Sequence, residues 1–374
     1  MAAVTVAAFG SCTDADGPGT GSRETAMPQI VWRTALAPSA LPLGDPATDG
    51  ERVFIQYRGI TALRVSDGTQ IWGTPPGTFA LGALGIVERD GRVYVAEAAA
   101  HAFDAATGRE LWRVQLVEDA ALCIPAADDR ALYFGTTGPQ HIVYALNVEN
   151  GHELWSTRLG PDWEFDGRIT GVALSGDTLY VAANQDRSQN GFLVSAWLFA
   201  LDRATGSILW SFVSGEGDER RALLSAPVVA GRLLIADDWL DNAIFAVDRF
   251  VHSEIWRVPG VPGFGGPLGV PVVRGDTVYR GSGDTFVYAA DVQTGQLLWK
   301  STHADGSIDH VTVCGSSVLA EEEAIEIFDR HTGTWKGTIL NVDSDFITSG
   351  FATLGDTLVF ASGPEAVYAL RCPK

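Results

Sequence analysis

The side chains with reactive potential are four cysteines, seven histidines and a large excess of carboxylates. The cysteines lie at positions 12, 123, 314 and 372, with no Cys-x-x-Cys pair, so a structural zinc site is not expected. Cys123 and Cys314 sit in apolar strand contexts and read as buried small hydrophobes; a Cys314–Cys372 bridge is the alternative. His303 and His310 flank a loop with Asp305 and Asp309, donors a metal could use, but at irregular spacing. His152, His252 and His331 fall at or beside hairpin turns, where an exposed polar residue is expected. Asp14-Ala15-Asp16-Gly17 begins like a calcium loop but lacks the closing Glu. Glu321-Glu322-Glu323 reads as an acidic loop. Gly-x-Ser-x-Gly, a Walker loop and His-Glu-x-x-His do not occur. No catalytic, cofactor-binding or metal-binding residue is therefore expected, and no cofactor.

Cys12 carries a different chemistry. Residues 1–11 are small and apolar, and the polar stretch TDADGPGTGSRETAMPQ follows the cysteine. An apolar run, small residues, Cys and a flexible linker resemble the order of a bacterial lipoprotein signal, in which the Cys is lipidated. Phe9-Gly10-Ser11-Cys12 departs from that pattern at Phe9, and the basic n-region is missing. The expectation is a signal-peptide remnant over 1–11, a lipid anchor at Cys12 and a flexible tether over 12–28.

The formal charge is −20, from 26 Lys and Arg against 46 Asp and Glu. That balance argues against nucleic acid, which needs clustered Lys and Arg, and against docking on anionic lipid heads, so a membrane would be met only through a lipid anchor. No run of 18 apolar residues is present, so no membrane-spanning helix is expected.

The elements that must position these groups appear as a repeat. Ala-Leu-Asp-x-x-Thr-Gly-x-x-Leu-Trp recurs at Ala62…Trp72, Ala102…Trp112, Ala145…Trp155, Ala200…Trp210, Ala246…Trp256 and Ala289…Trp299. A seventh copy keeps the turn Asp329…Gly333 but has Gly337 at the Trp position. An eighth starts at Ala369-Leu370-Arg371 and stops before its turn. The first half reads as a strand, Thr-Gly as a tight reversal, and the Trp strand as the return. A second turn precedes each copy, from Asp49-Gly50 to Gly355-Asp356. Two hairpins per repeat make a four-stranded sheet, and sheets at a period of about 40 to 45 residues are propeller blades. The eighth blade lacks its outer strand, while Gln29-Ile30-Val31-Trp32-Arg33 is a spare one. The expected fold is thus all-β: one eight-bladed β-propeller over 29–374, its last blade closed by the N-terminal strand. Trp32, Trp72, Trp112, Trp155, Trp210, Trp256 and Trp299 are its structural repeat.

Both turn families of a four-stranded blade lie on one face, and the longer connections lie on the other, where binding sites concentrate. Those connections carry extra length and off-motif aromatics in the middle blades. Trp163, Glu164, Asp166, Arg220, Arg221, Trp239, Asp241 and Phe264 are the candidate partner-binding residues, since aromatics and Arg inside a polar rim are common interface anatomy. Asp237-Asp238-Trp239-Leu240-Asp241 is counted among these loops.

The Trp motif resembles the tryptophan-docking repeat of the quinoprotein-like propellers, over essentially residues 29–374. Two groups share it: quinoprotein dehydrogenases, which hold pyrroloquinoline quinone and calcium, and the BamB-like outer-membrane assembly lipoproteins, which use eight blades without cofactor. The chain is shorter than the dehydrogenases, has no Cys-Cys dipeptide and shows no Glu, Asn and Asp set for calcium. Cys12 with its tether and the closing strand are similar to the assembly lipoproteins. That resemblance implies a non-enzymatic, monomeric scaffold on the periplasmic face of the outer membrane, or secreted. Its partner would be a protein, by resemblance the barrel-assembly protein. A quinoprotein-type oxidoreductase, or a propeller binding a small ligand or metal, is the alternative.

Overall fold

The computed structural model describes residues 27–36, 44–56, 59–75, 85–116, 123–138, 141–160, 167–186, 194–214, 224–239, 241–261, 264, 269–302, 306–321, 324–339, 349–363 and 365–373. Their regular elements are all strands, in eight antiparallel sheets that form the blades of a β-propeller. Blade 2 shows the plan: Val87–Arg89 innermost, then Arg92–Ala96, Ala99–Asp104 and the outer Glu110–Gln115. Inner strands of neighbouring blades meet round the axis, through bridges such as Asp45–Gly85 and Ile124–Gly171. Second and third strands are covered on both sides by adjacent sheets. They accordingly read as apolar runs, such as Val93-Tyr94-Val95, instead of alternating.

Each repeat Trp fastens its blade to the next. From the outer strand of one blade the indole Nε1 donates to a carbonyl in the following blade's second turn. Trp32 reaches Val65 at 2.8 Å, Trp72 Ala105 at 2.9 Å, Trp112 Val148 at 2.9 Å and Trp256 Val292 at 2.9 Å. The turn glycine lies flat against the ring. A Cβ on Gly108 would stand 2.5 Å from Trp72, and Gly108 has φ +71°, so both space and backbone require glycine. Blade 5 breaks the rule: His252 takes the glycine position at φ 62° and stacks on Trp210 with ring centroids 4.8 Å apart.

The repeat aspartate holds the same turn from within. Asp104 accepts from the backbone N–H of Ala106 and Thr107 and from the Thr107 hydroxyl at 2.7 Å; Asp202 and Asp291 do the same in their blades. The threonine hydroxyl, followed by these backbone donors, holds all three carboxyls below the ordinary value of 3.8. Their folded pKa lies under the unfolded one. The stability they contribute is complete above about pH 4 and is lost as pH falls through the folded values. Denaturant midpoints measured against pH should therefore be flat with respect to these groups above pH ~4 and decline below it.

Closure is as expected. Gln29–Ala35 pairs antiparallel with Ala366–Arg371, completing blade 8. Trp32 then docks on blade 1, and Thr34 donates to the Gly68 carbonyl at 2.7 Å. The missing Trp of blade 7 is explained by the same junction. Blade 8 has no second turn for a Trp to cap, and a Cβ on Gly337 would stand 2.9 Å from Met27 Cε. Here the expectation for Cys314 needs correction. It ends the inner strand of blade 7 and is bonded to Cys372, the residue after the third strand of blade 8. A strand pair that looked merely apolar thus carries the covalent link across the blade 7–8 junction. Cys123 is a buried free thiol that accepts the Gly135 N–H at 3.0 Å, and burial pushes its pKa up to about 12. One addition was not foreseen: Thr137–Gly138 of blade 3 pairs with Gly167 and Arg168 as a fifth strand on blade 4.

Candidate functional site

The long-connection face is built on the ends of the second strands. In several blades the second strand carries at or near its end a polar residue that meets a neighbouring blade or its own inner strand. Gln56 donates to Glu97 at 2.8 Å across blades 1 and 2. Asn184 Oδ1 accepts the Leu224 N–H at 3.0 Å across blades 4 and 5. In blade 8, Ser362 meets Ser349, hydroxyl to hydroxyl, at 2.7 Å. Such groups must be paired where they are removed from water, so they fix the blade ends relative to one another.

Blades 5 and 6 carry the largest of these networks. Asp237 and Asp238 are not loop residues as expected: they end the strand Leu233–Asp238 and are both 0% exposed. Alternation along the strand sends them to opposite faces. Asp237 meets Arg280 of blade 6, with Nε 3.1 Å from Oδ1, while Arg257 lies 3.6 Å from Asp238. The Asp237 contact is an ion pair without a well-aligned hydrogen bond; neither of its oxygens accepts one among the described residues. Burial raises Asp237, Arg280 opposes the rise and Asp238 adds to it, leaving it at about 7. Arg280 also donates to the Asn242 side chain, which accepts from Ser282 at 2.7 Å.

This network seats a loop. Asn242 Nδ2 donates to the Val261 carbonyl at 3.3 Å, and Asp284 accepts the Val261 N–H at 2.9 Å. Val261, held on both sides, and Phe264 are presented to solvent, Phe264 being 50% exposed. Trp239 is half-buried and Asp241 is exposed. Three expected site residues, Trp239, Asp241 and Phe264, thus share the connections of blade 5. Cys12, Trp163, Glu164, Asp166, Arg220 and Arg221 lie outside the described residues.

A second polar group sits where blades 7, 8 and 1 meet at the inner mouth. Glu321 is not part of an exposed acidic loop: it ends the strand Ser317–Glu321, is buried, and lies 3.1 Å from His310 Nδ1. His310 Nε2 is 3.6 Å from Asp45, which accepts the Gly350 N–H at 2.9 Å. Burial works against charge on His310, but Glu321, Asp45 and Asp309 outweigh it and raise its pKa to about 9. His303 and Asp305 lie outside the described residues, and among those described no three His, Cys, Asp or Glu side chains gather as metal ligands.

Sequence reasoning missed Asp237, Arg280, Asn242 and Asp284. A signal was present, since Gln56, Asp237, Glu321 and Ser362 each follow an apolar run at the same place in the repeat, with Arg280 one residue earlier in its blade.

The family model described as outer membrane protein assembly factor BamB matches residues 25–249 and 240–372. The assembly factor BamB of Burkholderia pseudomallei is 23% identical over 358 residues, covering 92% of this chain and 88% of that protein. Tetrathionate hydrolase of Acidithiobacillus ferrooxidans is 23% identical over 261 residues, 68% of this chain; the match spans only 43% of that larger protein. Among solved structures, BamB from Moraxella catarrhalis superposes with a TM-score of 0.69 at 17% identity, covering 92% of this chain and 98% of that one. At that identity the likeness shows the fold alone.

Proposed function

The chain belongs to the family of outer membrane protein assembly factor BamB, and on that premise we propose that it is a non-enzymatic envelope scaffold. It docks a protein partner on its long-connection face, by family the outer-membrane barrel-assembly protein. Cys12 tethers it by lipid to the periplasmic side of that membrane. The observation that carries the docking reading is the seating of Val261 and Phe264. The Val261 backbone is held by Asn242 and Asp284, and the Val261 and Phe264 side chains are exposed. Fixing a contact before the partner arrives lowers the ordering cost of association. The Cys314–Cys372 bond supports an oxidising compartment such as the periplasm.

The test combines Trp239→Ala, Phe264→Ser and Arg220→Glu in one variant. One aromatic or Arg anchor at an interface is worth about 2 kcal/mol or more, so loss of even one of the three should raise Kd for the barrel-assembly protein ~30-fold or more. Far-ultraviolet circular dichroism and the thermal midpoint should be unchanged. Full affinity in a folded variant would move the docking site elsewhere on the propeller.

A further inference from the structure

We propose that the second turn of blade 5, at Phe250-Val251, inserts into the interfacial layer of a lipid bilayer and lays the turn face of the propeller on the membrane. The inference rests on the reading of Cys12 as a membrane tether.

Phe250 and Val251 are 65% and 60% exposed, the highest values for large hydrophobic side chains among the described residues. At the Phe250 position the other six repeats have the small or polar Ser66, Ala106, Glu149, Ala204, Gln293 or His331. At the Val251 position the other six repeats have Asp67, Thr107, Asn150, Thr205, Thr294 or Thr332. Four of those threonines clamp the turn aspartate through their hydroxyls, a bond valine cannot make. The next residue, His252, gives up the turn glycine at positive φ. Blade 5 therefore breaks two stabilising rules of its own repeat and gains an apolar tip in return; local rules broken in this way mark functional positions.

The flanks suit a lipid surface. Arg249 and Arg232 lean on the Phe250 ring, with guanidinium carbons 5.0 and 5.8 Å from its centroid. They put cations beside the ring, within reach of headgroups when the ring enters the acyl boundary. The single carboxylate in the turn, Asp248, is turned inward onto Arg232 and the backbone N–H groups of Phe250 and Val251.

Position selects the bilayer as occupant. Gln29 pairs with Arg371, so the N-terminal strand enters the propeller at the turn face. A tether from Cys12 thus reaches the turn face at blade 8, and the apolar tip lies on that same face three blades round the ring. One tether leaves a disc free to swing. A second contact far round the rim fixes it and points the long-connection face, with Phe264, away from the membrane. The overall negative charge disfavours free binding, so the tether must supply the local concentration.

The experiment replaces the lipid by an N-terminal hexahistidine tag on the full chain carrying Cys12→Ser. The protein is captured on phosphatidylcholine–phosphatidylethanolamine vesicles containing a nickel-chelating lipid. An environment-sensitive fluorophore is placed at Ser253→Cys beside the tip or at Asp241→Cys on the opposite face; buried Cys123 stays unlabelled. Emission at 253 should shift to the blue on vesicles, and emission at 241 should not. Phe250→Ser with Val251→Ser should abolish the shift at 253. No shift at 253, equal shifts at both sites, or a shift in free solution that grows with protein concentration (a second copy) would each overturn the proposal. Capture does not use Cys12, so the anchor is tested apart, by whether Cys12→Ala releases the protein from membranes in cells.

Discussion

Replacing Cys314 and Cys372 together by alanine is expected to lower the free energy of unfolding by about 4 kcal/mol. The bond closes a loop spanning a sequence separation of 58, and restricting so long a loop removes much of the unfolded chain's freedom. Its place makes the loss serious. At the other interblade junctions a Trp, or in blade 4 Trp210 against His252, docks on the next blade's second turn. Between blades 7 and 8 that contact is missing, because Gly337 replaces the Trp and blade 8 has no such turn. The disulfide joins those same two blades. Urea titrations of the parent and the double variant, each with and without reductant, test this. The parent should fall to the variant's midpoint under reductant, and the variant should not respond. A reductant effect under about 1 kcal/mol would show that strand pairing alone holds the junction.

Arg280→Ala is expected to cost about 3–5 kcal/mol at neutral pH, the usual penalty for removing one partner of a buried ion pair. The side chain is 2% exposed and faces Asp237, Asn242 and the Gly281 carbonyl at once. Its loss strands a carboxylate that burial already holds near 7. A pKa raised above the unfolded value makes the folded state favour the protonated acid, so Asp237 weakens the fold as pH rises from about 4 through 7. The Arg280→Ala penalty should consequently shrink at pH 5, where Asp237 can hold a proton. Adding Asp237→Asn should recover part of the loss, because the stranded charge disappears. Equal penalties at pH 5 and pH 8 would show that Arg280 acts by packing and by Asn242, not through Asp237. Loosening Asn242 should also free Val261, tying this network to the loop proposed to dock the partner.

The propeller was legible because its information is local and repeated. Turn chemistry at Asp-x-x-Thr-Gly and a Trp at constant spacing specify a hairpin and its docking to the next sheet. Seven copies plus a spare strand carrying Trp32 fix the count and the closure. Exceptions to the repeat were legible as well, in Gly337 and His252, although their reasons were not. Gly337 is explained only by what blade 8 lacks, and His252 by the Trp210 ring it meets.

What tertiary structure decided is the fate of the polar residues. Asp237-Asp238 and Glu321 look like exposed acid in a chain of net charge −20, yet they are strand ends buried against other blades. The physical reason is that burial and ion pairing depend on which blade comes next. Arg280 finds Asp237 once blade 6 packs on blade 5, and His310 finds Asp45, near the other end of the chain, only once the ring has closed. Cys314 is decided in the same way. Its partner lies at a sequence separation of 58 in the next blade, and the covalent link exists because the packing of blade 8 on blade 7 brings the two cysteines to one junction. The sequence by itself thus determined the eight blades and their order; the ring determined which charges are buried, that the Val261 backbone is held, and at which face the N-terminal strand enters.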